Sequence, residues 1–126
     1  MILRPANIDD AERLFNWRND PLTRAMSINT APVEWDGHIG WLKRRLSLPA
    51  PNLYVAEVDG VPVGTVRVDD DEISYTVAPE RRGKGFATQM LIAARRQFGS
   101  LCAEIKRENE ASIRAAVSAG HKVVLI

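Results

Sequence analysis

The sequence is poor in the features that would place the protein outside the cell or in a membrane. Its 126 residues contain one cysteine, Cys102, so no internal disulfide can form. No segment approaches the ~20 apolar residues that cross a bilayer, and no long apolar run follows the N-terminal Met1–Pro5 as it would in a signal peptide. We therefore expect a cytoplasmic protein, with Cys102 as a buried strand thiol rather than a nucleophile.

A strong charge of either sign is also missing. The 17 Lys and Arg residues against 16 Asp and Glu residues leave a net charge of +1, which gives no reason to expect nucleic acid, an anionic membrane or a strongly acidic partner. The length suits a single domain over residues 1–126. Most of the cations are arginines, whose planar guanidinium suits bidentate contacts with phosphate and carboxylate.

Strand-like and helical patterns follow one another in an order that predicts an α/β fold. Two β-branched, apolar runs flank Asp59-Gly60, which is the strongest short hairpin signal, and Asp69–Asp71 predicts the next turn. We expect a mixed central sheet that begins with an antiparallel meander, continues with parallel pairing and carries helices on both faces. The predicted strands are 1–4, 53–58, 61–68, 72–77, 101–105 and 121–126. The predicted helices start at a cap on Asp9 or Asp10, at Asp20-Pro21 and at Thr30, and later span 86–98 and 109–119.

The segment from Val77 to Thr88 carries a pattern that favours anion binding. A strand ends at Ala78-Pro79, a short loop holds two glycines and several cations, and a helix follows at once. Glycines let the backbone approach a bulky anion, and the first turn of a helix offers free N–H groups at the positive end of its dipole. The spacing matches neither the Walker loop nor the dinucleotide fingerprint. A tight turn without a ligand is the alternative interpretation.

The segment Arg82-Gly83-Lys84-Gly85-Phe86-Ala87 resembles the pyrophosphate-binding motif of the GNAT superfamily of N-acetyltransferases, Arg/Gln-x-x-Gly-x-Gly/Ala. The helix that Asn109 leads resembles the second motif of that family. This resemblance implies a GNAT fold, acetyl-CoA as co-substrate, no metal, and a neutral amine that attacks the thioester directly. It implies that the backbone at Val77 pairs with the pantetheine arm and polarises the thioester carbonyl. The implied cofactor-binding residues are Val77, Arg82, Gly83, Lys84, Gly85, Phe86, Ala87, Thr88 and Asn109.

The amine must lose a proton before it attacks, which requires a general base or a water chain that leads to one. Glu72 is the first candidate, because its strand enters the loop and aligns with the family strand that carries a glutamate base in histone-acetylating members. His38 is the second candidate, since its unperturbed pKa suits proton transfer near neutrality. The tyrosine that the family often uses as the acid is Ala116 here, so Ser112 or solvent would serve instead.

The chain departs from the family pattern at its end as well. The family's Gly-Phe is Gly120-His121 here, and the sequence stops at Ile126, where the family usually continues through one more strand. We expect either a shortened form or a partner subunit at that edge. Because an unpaired sheet edge favours association, the second possibility favours a homodimer.

The N-terminal third is expected to bind the acceptor. Trp17-Arg18-Asn19-Asp20-Pro21 followed by His38-x-x-Trp41 resembles the branch that includes ribosomal-protein N-terminal acetyltransferases and the amino-sugar acetyltransferases of nonulosonate (pseudaminic acid) synthesis. This favours a small-molecule acceptor, a nucleotide-linked amino sugar. Two alternatives stay open: protein N-terminal or lysine acetylation, and a non-catalytic acyl-CoA-binding module. Trp17 itself is expected in the core. The predicted acceptor-binding residues are Arg18, Arg24, Trp41, Arg67 and Tyr75.

Overall fold

The computed structural model describes all residues, 1–126, and arranges them around one six-stranded sheet. The strands lie side by side in chain order, from β1 at one edge to β6 at the other. They are β1 (Ile2–Pro5), β2 (Leu53–Val58), β3 (Val61–Asp69), β4 (Glu72–Val77), β5 (Cys102–Ile105) and β6 (Lys122–Leu125). The helices are α1 (Ala11–Asn19), α2 (Pro21–Met26), α3 (Trp35–Leu46), α4 (Phe86–Phe98) and α5 (Glu110–Ser118).

The first four strands form the predicted antiparallel meander. Asp59 and Gly60 join β2 to β3 with φ angles of 51° and 76°, the left-handed backbone that a two-residue hairpin of this type requires. Asp70, with φ 51°, closes the next hairpin between β3 and β4. Both turns predicted from the sequence are therefore confirmed.

The last two connections are parallel, also as predicted, but the two parallel pairs differ in extent. β5 and β6 pair along four residues each, whereas β4 and β5 share the single pair Glu72↔Cys102. Because the two strands run in the same direction from that pair, they separate towards their carboxyl ends. A gap therefore opens in the sheet beside the second half of β4.

Helices cover both faces of the sheet, which confirms the predicted fold class. On one face, α4 and α5 bury a cluster that includes Met90, Ala116 and Val66. On the other face, α1 and α3 bury a second cluster against β2, and it includes Leu42 and the predicted core residue Trp17. Cys102 lies on β5 but is only partly buried, so the prediction of a buried strand thiol is correct for the strand and wrong for the burial.

The start of one helix differs from the prediction, and another helix starts after Asp10 as predicted but without the expected capping bond. α3 begins at Trp35 and not at Thr30, because the Asn19 side chain holds the intervening segment extended: it accepts from the Val33 N–H at 2.7 Å and donates to the Val33 carbonyl at 2.9 Å. The Asp10 carboxylate makes no capping bond to α1. It accepts instead from the guanidinium groups of Arg4 and Arg13 at 2.6–2.9 Å, and a short 3₁₀ turn precedes the helix.

The β6 edge carries Val124, Leu125 and Ile126 with 42–45% of each residue exposed. Pairing of this edge with a second copy stays a prediction. No helix in the protein has both the length and the apolar character needed to cross a membrane.

Candidate acetyl-CoA and acceptor site

The glycine loop, defined here as Arg82–Thr88, lies at the open end of the gap, between the end of β4 and the start of α4. Gly83 and Gly85 adopt φ angles of 76° and 78°, a backbone region that other residues reach only with strain. No atom lies within 4 Å of the position where a Cβ would stand at either glycine. The space above both glycines is open, so a bulky anion can approach the backbone there.

The first turn of α4 has no side chain to cap it, because the N-cap residue is Gly85. Its N–H groups therefore remain available at the positive end of the helix dipole. The exposed Lys84 adds a positive charge to the loop. The pyrophosphate of CoA would fit at this position, because the glycines leave open space, the helix start is uncapped and a cation lies nearby.

The backbone of Val77 faces the gap. The Ala78 N–H donates to the Val63 carbonyl of β3 at 2.8 Å. Since successive N–H groups of a strand point to opposite sides, the Val77 N–H points away from β3 and towards β5. β5 has already diverged at this level, so this N–H can serve an inserted ligand.

The far rim of the gap is formed by the start of α5. Asn109 caps this helix by accepting from the Ser112 N–H at 3.3 Å. Ser112 and Tyr75 exchange a short hydroxyl–hydroxyl hydrogen bond, and the Tyr75 hydroxyl also lies 3.3 Å from the Ser112 carbonyl. Burial raises the pKa of the Tyr75 phenol, so the phenol keeps its proton at neutral pH. The two hydroxyls bridge β4 and α5 across the gap.

On the other face of the sheet, two guanidinium groups meet one indole ring. The Arg18 Cζ lies 4.9 Å from the Trp41 ring centroid, and the Arg67 Cζ lies 6.0 Å from it. Both arrangements are within the range of cation–π attraction. Arg67 also contacts Asp69 at 3.1 Å, on the same strand. We call Arg18, Trp41 and Arg67 the arginine cluster.

The arginine cluster carries more positive charge than its neighbours neutralise. Arg18 forms no ion pair, and burial, with repulsion from Arg67, lowers its pKa. Arg67 lies opposite Ser74 on β4, which is three residues and about 10 Å before Val77 along the strand. The cluster therefore lies on the β3 side of β4, and its charge at Arg18 is not paired with a carboxylate.

The structure does not join Arg24 or Tyr75 to this cluster. Arg24 donates from Nε to the Thr30 carbonyl at 3.2 Å, in the loop that follows α2. Tyr75 faces α5 on the opposite side of the sheet. Of the five predicted acceptor-binding residues, three are therefore together and two lie apart.

His38 is sealed inside the protein. Its side chain is fully buried and lies among the rings of Phe15, Trp35 and Trp41, with centroid separations of 5.5–6.0 Å. Its Nε2 lies 2.8 Å from the Ala11 carbonyl, so Nε2 carries the proton and Nδ1 is a bare acceptor without a partner. Burial lowers the pKa of His38, which keeps the ring neutral.

Glu72 lies at the opposite end of β4 from the glycine loop. Five residues separate it from Val77, or about 16 Å along the strand. Its side chain is exposed, and repulsion from Glu104, together with Asp71, raises its pKa. The structure brings neither Glu72 nor His38 to the glycine loop.

Arg82 makes a contact that the sequence analysis missed. Its guanidinium donates to the Asp20 carboxylate and, at 2.9 Å, to Thr23 Oγ1 of α2. The positive charge of Arg82 is thus paired rather than mobile, and its side chain turns towards the N-terminal helices. Asp20-Pro21 was visible in the sequence as a helix start, but nothing in the pattern connected it with a residue 62 positions later.

Comparisons with known proteins agree with this fold. A family model described as the acetyltransferase (GNAT) domain matches residues 1–122. Among solved structures, yncA from Salmonella typhimurium, assigned as an acetyltransferase and solved with acetyl-CoA, is 29% identical with a TM-score of 0.71, and covers 95% of this chain and 78% of its own. A ribosomal-protein-alanine N-acetyltransferase from Brucella melitensis is 27% identical with a TM-score of 0.71, over 95% and 83% of the two chains.

A spermidine N-acetyltransferase from Vibrio cholerae, solved with CoA and spermine, has a TM-score of 0.81 at 19% identity, over 94% of this chain and 79% of its own. At that identity the likeness concerns the fold. A search of curated proteins found no match.

The chain belongs to the GNAT family of acetyltransferases. It is an acetyl-CoA-dependent N-acetyltransferase, and acetyl-CoA is its co-substrate. The alternative of a non-catalytic acyl-CoA-binding module is therefore not retained.

Proposed function

We propose that the protein transfers the acetyl group of acetyl-CoA to the primary amine of a nucleotide-linked amino sugar. The observation that carries this proposal is the arginine cluster, in which Arg18 has no ion-pair partner. Holding two guanidinium groups together is unfavourable unless an anion or an aromatic ring compensates. A diphosphate would supply the missing negative charge, and Trp41 would pack against a ring of the acceptor.

The cofactor would be held by backbone rather than by side chains. The N–H groups of Gly83–Thr88 would bind the pyrophosphate, with Lys84 as a nearby cation, and Asn109 would hydrogen-bond the pantetheine arm at the far rim of the gap. The open space at both glycines and the lack of a capping side chain support this assignment. The backbone of Arg82 contributes to the loop, while its side chain stays on Asp20.

Acetyl-CoA supplies the activated acetyl group, and the residues around the gap would promote its transfer. The Val77 N–H, which faces the gap, would polarise the carbonyl as negative charge develops on oxygen. Ser112, hydrogen-bonded with Tyr75, would hold a proton near the departing sulfur. Glu72 or His38 remains the proposed base. Both lie away from the glycine loop. Glu72 is exposed and would act through water, whereas His38 is fully buried and would reach water only if the packing around it opened.

Protein N-terminal acetylation is the second candidate, and one observation favours it. The relative from Brucella melitensis, at 27% identity, is a ribosomal-protein-alanine N-acetyltransferase. An extended peptide would run beside the gap, with the arginine cluster against an acidic side chain or carboxylate.

Thiol release from acetyl-CoA separates the two candidates. We would compare UDP-linked amino sugars, peptides with a free N-terminal alanine, and spermidine as acceptors. The proposal expects release with a UDP-amino sugar. Release with peptides alone would move the assignment to protein acetylation, and release with spermidine alone would contradict an anionic acceptor.

Variants of the arginine cluster sharpen this test. Arg18→Gln removes one charge-assisted contact worth about 1.5–3 kcal/mol, so the KM for the acceptor should rise roughly 10- to 100-fold while the KM for acetyl-CoA stays the same. Arg44→Gln is the matched control, because Arg44 is exposed on the same helix as Trp41. Equal KM values for both variants would remove the cluster from the acceptor site.

A further inference from the structure

Helix α2 is attached to both rims of the gap by polar contacts. On the β4 side, the Arg82 guanidinium of the glycine loop binds Asp20 and Thr23. On the β5 side, Lys106 Nζ donates to the Ala25 carbonyl at 2.9 Å. Lys106 directly follows β5, just as the glycine loop follows β4. The six residues of α2 therefore lie across the end of the sheet at which the gap opens.

Apolar packing contributes little to holding α2 there. None of its six residues is buried, and Leu22 is 50% exposed. An element without buried side chains belongs to the least stable parts of a fold, so its position depends on its few polar contacts. The contact between Arg82 and Asp20 is therefore important for where α2 lies.

Asp20 has two roles in this contact. As the N-cap of α2, its carboxylate accepts from the Thr23 N–H at 3.1 Å. The same oxygen, Oδ2, accepts from Arg82. The hydrogen bond from Arg82 is the main reason why the pKa of Asp20 is lowered. Asp20 also follows Arg18 by two residues, so its position affects the end of α1 that carries Arg18.

We propose that Asp20 is a positioning residue that makes the placement of α2, and of Arg18 beside it, depend on the conformation of the glycine loop. Cofactor binding at the loop then orders the acceptor side of the gap before the amine arrives. The inference rests on the proposed cofactor site. It adds a coupling between two ligand sites, and such coupling acts equally in both directions.

The test is amide hydrogen exchange of the full chain with and without CoA, which needs no knowledge of the acceptor. In the wild type, CoA should slow exchange both in the glycine loop, residues 83–88, and in α2, residues 23–26. The slowing in α2 should be roughly five-fold or more, the lower end of allosteric coupling. In Asp20→Asn, the loop should still be protected by CoA, whereas exchange in α2 should no longer respond.

The asparagine variant separates coupling from folding, because Asn caps helices as well as Asp does but cannot form the ion pair. Asp36→Asn, an exposed acid in the first turn of α3, is the matched control and should behave as the wild type. A purely structural role predicts faster exchange in α2 by the same factor with and without CoA, which would overturn the proposal. Protection of the loop without protection of α2 in the wild type would overturn it too. Absence of loop protection would remove the cofactor site, and this proposal with it.

Discussion

Replacing Gly85 with glutamate tests the proposed phosphate site most directly. Gly85 has a φ of 78°, and the space around its missing Cβ is open. A side chain can therefore be added without a clash, at a backbone strain of about 1–2 kcal/mol. A carboxylate at the start of α4 recovers part of that cost, about 0.3–1 kcal/mol, from the helix dipole. The variant should fold, with its new carboxylate in the place proposed for the pyrophosphate.

The expected loss of binding follows from Coulomb repulsion. Two unit charges about 4 Å apart at a protein surface repel by roughly 4 kcal/mol. An exposed glutamate can turn away, so we expect about half of this, or a Kd for CoA raised about 30-fold. Gly85→Gln carries the same strain and nearly the same volume without the charge. The difference between Gly85→Glu and Gly85→Gln should shrink as salt is added, because salt screens exposed charges.

Isothermal titration calorimetry with CoA at low and high salt measures these differences, and thermal unfolding checks that both variants are folded. Equal affinity for CoA in the wild type and in Gly85→Glu would remove the phosphates from the glycine loop. If Gly85→Glu and Gly85→Gln weaken CoA binding equally, the loss of affinity is caused by the volume of the side chain and not by its charge.

Two further variants test the base and the N-terminal ion pairs. Glu72→Gln should lower turnover without weakening acetyl-CoA binding. Because the pKa of Glu72 is raised, the acidic limb of the wild-type pH–rate profile should lie above the ordinary glutamate value of 4.5 and vanish in the variant. Unchanged profiles would move the base to His38 or solvent. Asp10→Asn removes a carboxylate that is 1% exposed and bound by Arg4. The free energy of unfolding should fall by about 3 kcal/mol at neutral pH. Burial opposes ionisation of Asp10, but hydrogen bonds from Arg4 and Asn7 outweigh it and lower its pKa. This stability is therefore present above pH 3.8 and is lost as the pH falls through the folded-state value, which urea titrations at several pH values would detect.

Local patterns predicted those parts of the fold that local contacts determine. The hairpins at Asp59-Gly60 and Asp70 follow from turn chemistry, and α4 follows from its apolar stripe and from Gly99 at its end. The predicted start of α3 at Thr30 was wrong because a side chain from another helix, that of Asn19, binds the backbone of Val33. No pattern within residues 30–35 contains that information.

For the site, too, features set by adjacent residues could be predicted and features set by contacts between distant segments could not. The backbone geometry of the glycine loop could be predicted because it depends on two glycines that are close in sequence, Gly83 and Gly85. The pairing of Arg82 with Asp20, and the separation of Tyr75 from Trp41, depend on contacts between distant segments. His38 was predicted as a candidate base, yet Phe15 of α1 and two tryptophans enclose it. Spacing along α3 alone cannot reveal what α1 contributes.

The acceptor has to be inferred from side chains, because the fold is shared by enzymes with different substrates. The spermidine enzyme from Vibrio cholerae has a TM-score of 0.81 with this chain, yet the identity is only 19%. A polyamine carries several positive charges and would be repelled by Arg18 and Arg67, both of which lie within 6.0 Å of the Trp41 ring centroid. An acceptor with a diphosphate would instead compensate both guanidinium groups and keep its amine free for the gap. Addition of salt should therefore weaken acceptor binding if the acceptor is anionic, and strengthen it if the acceptor is a polycation.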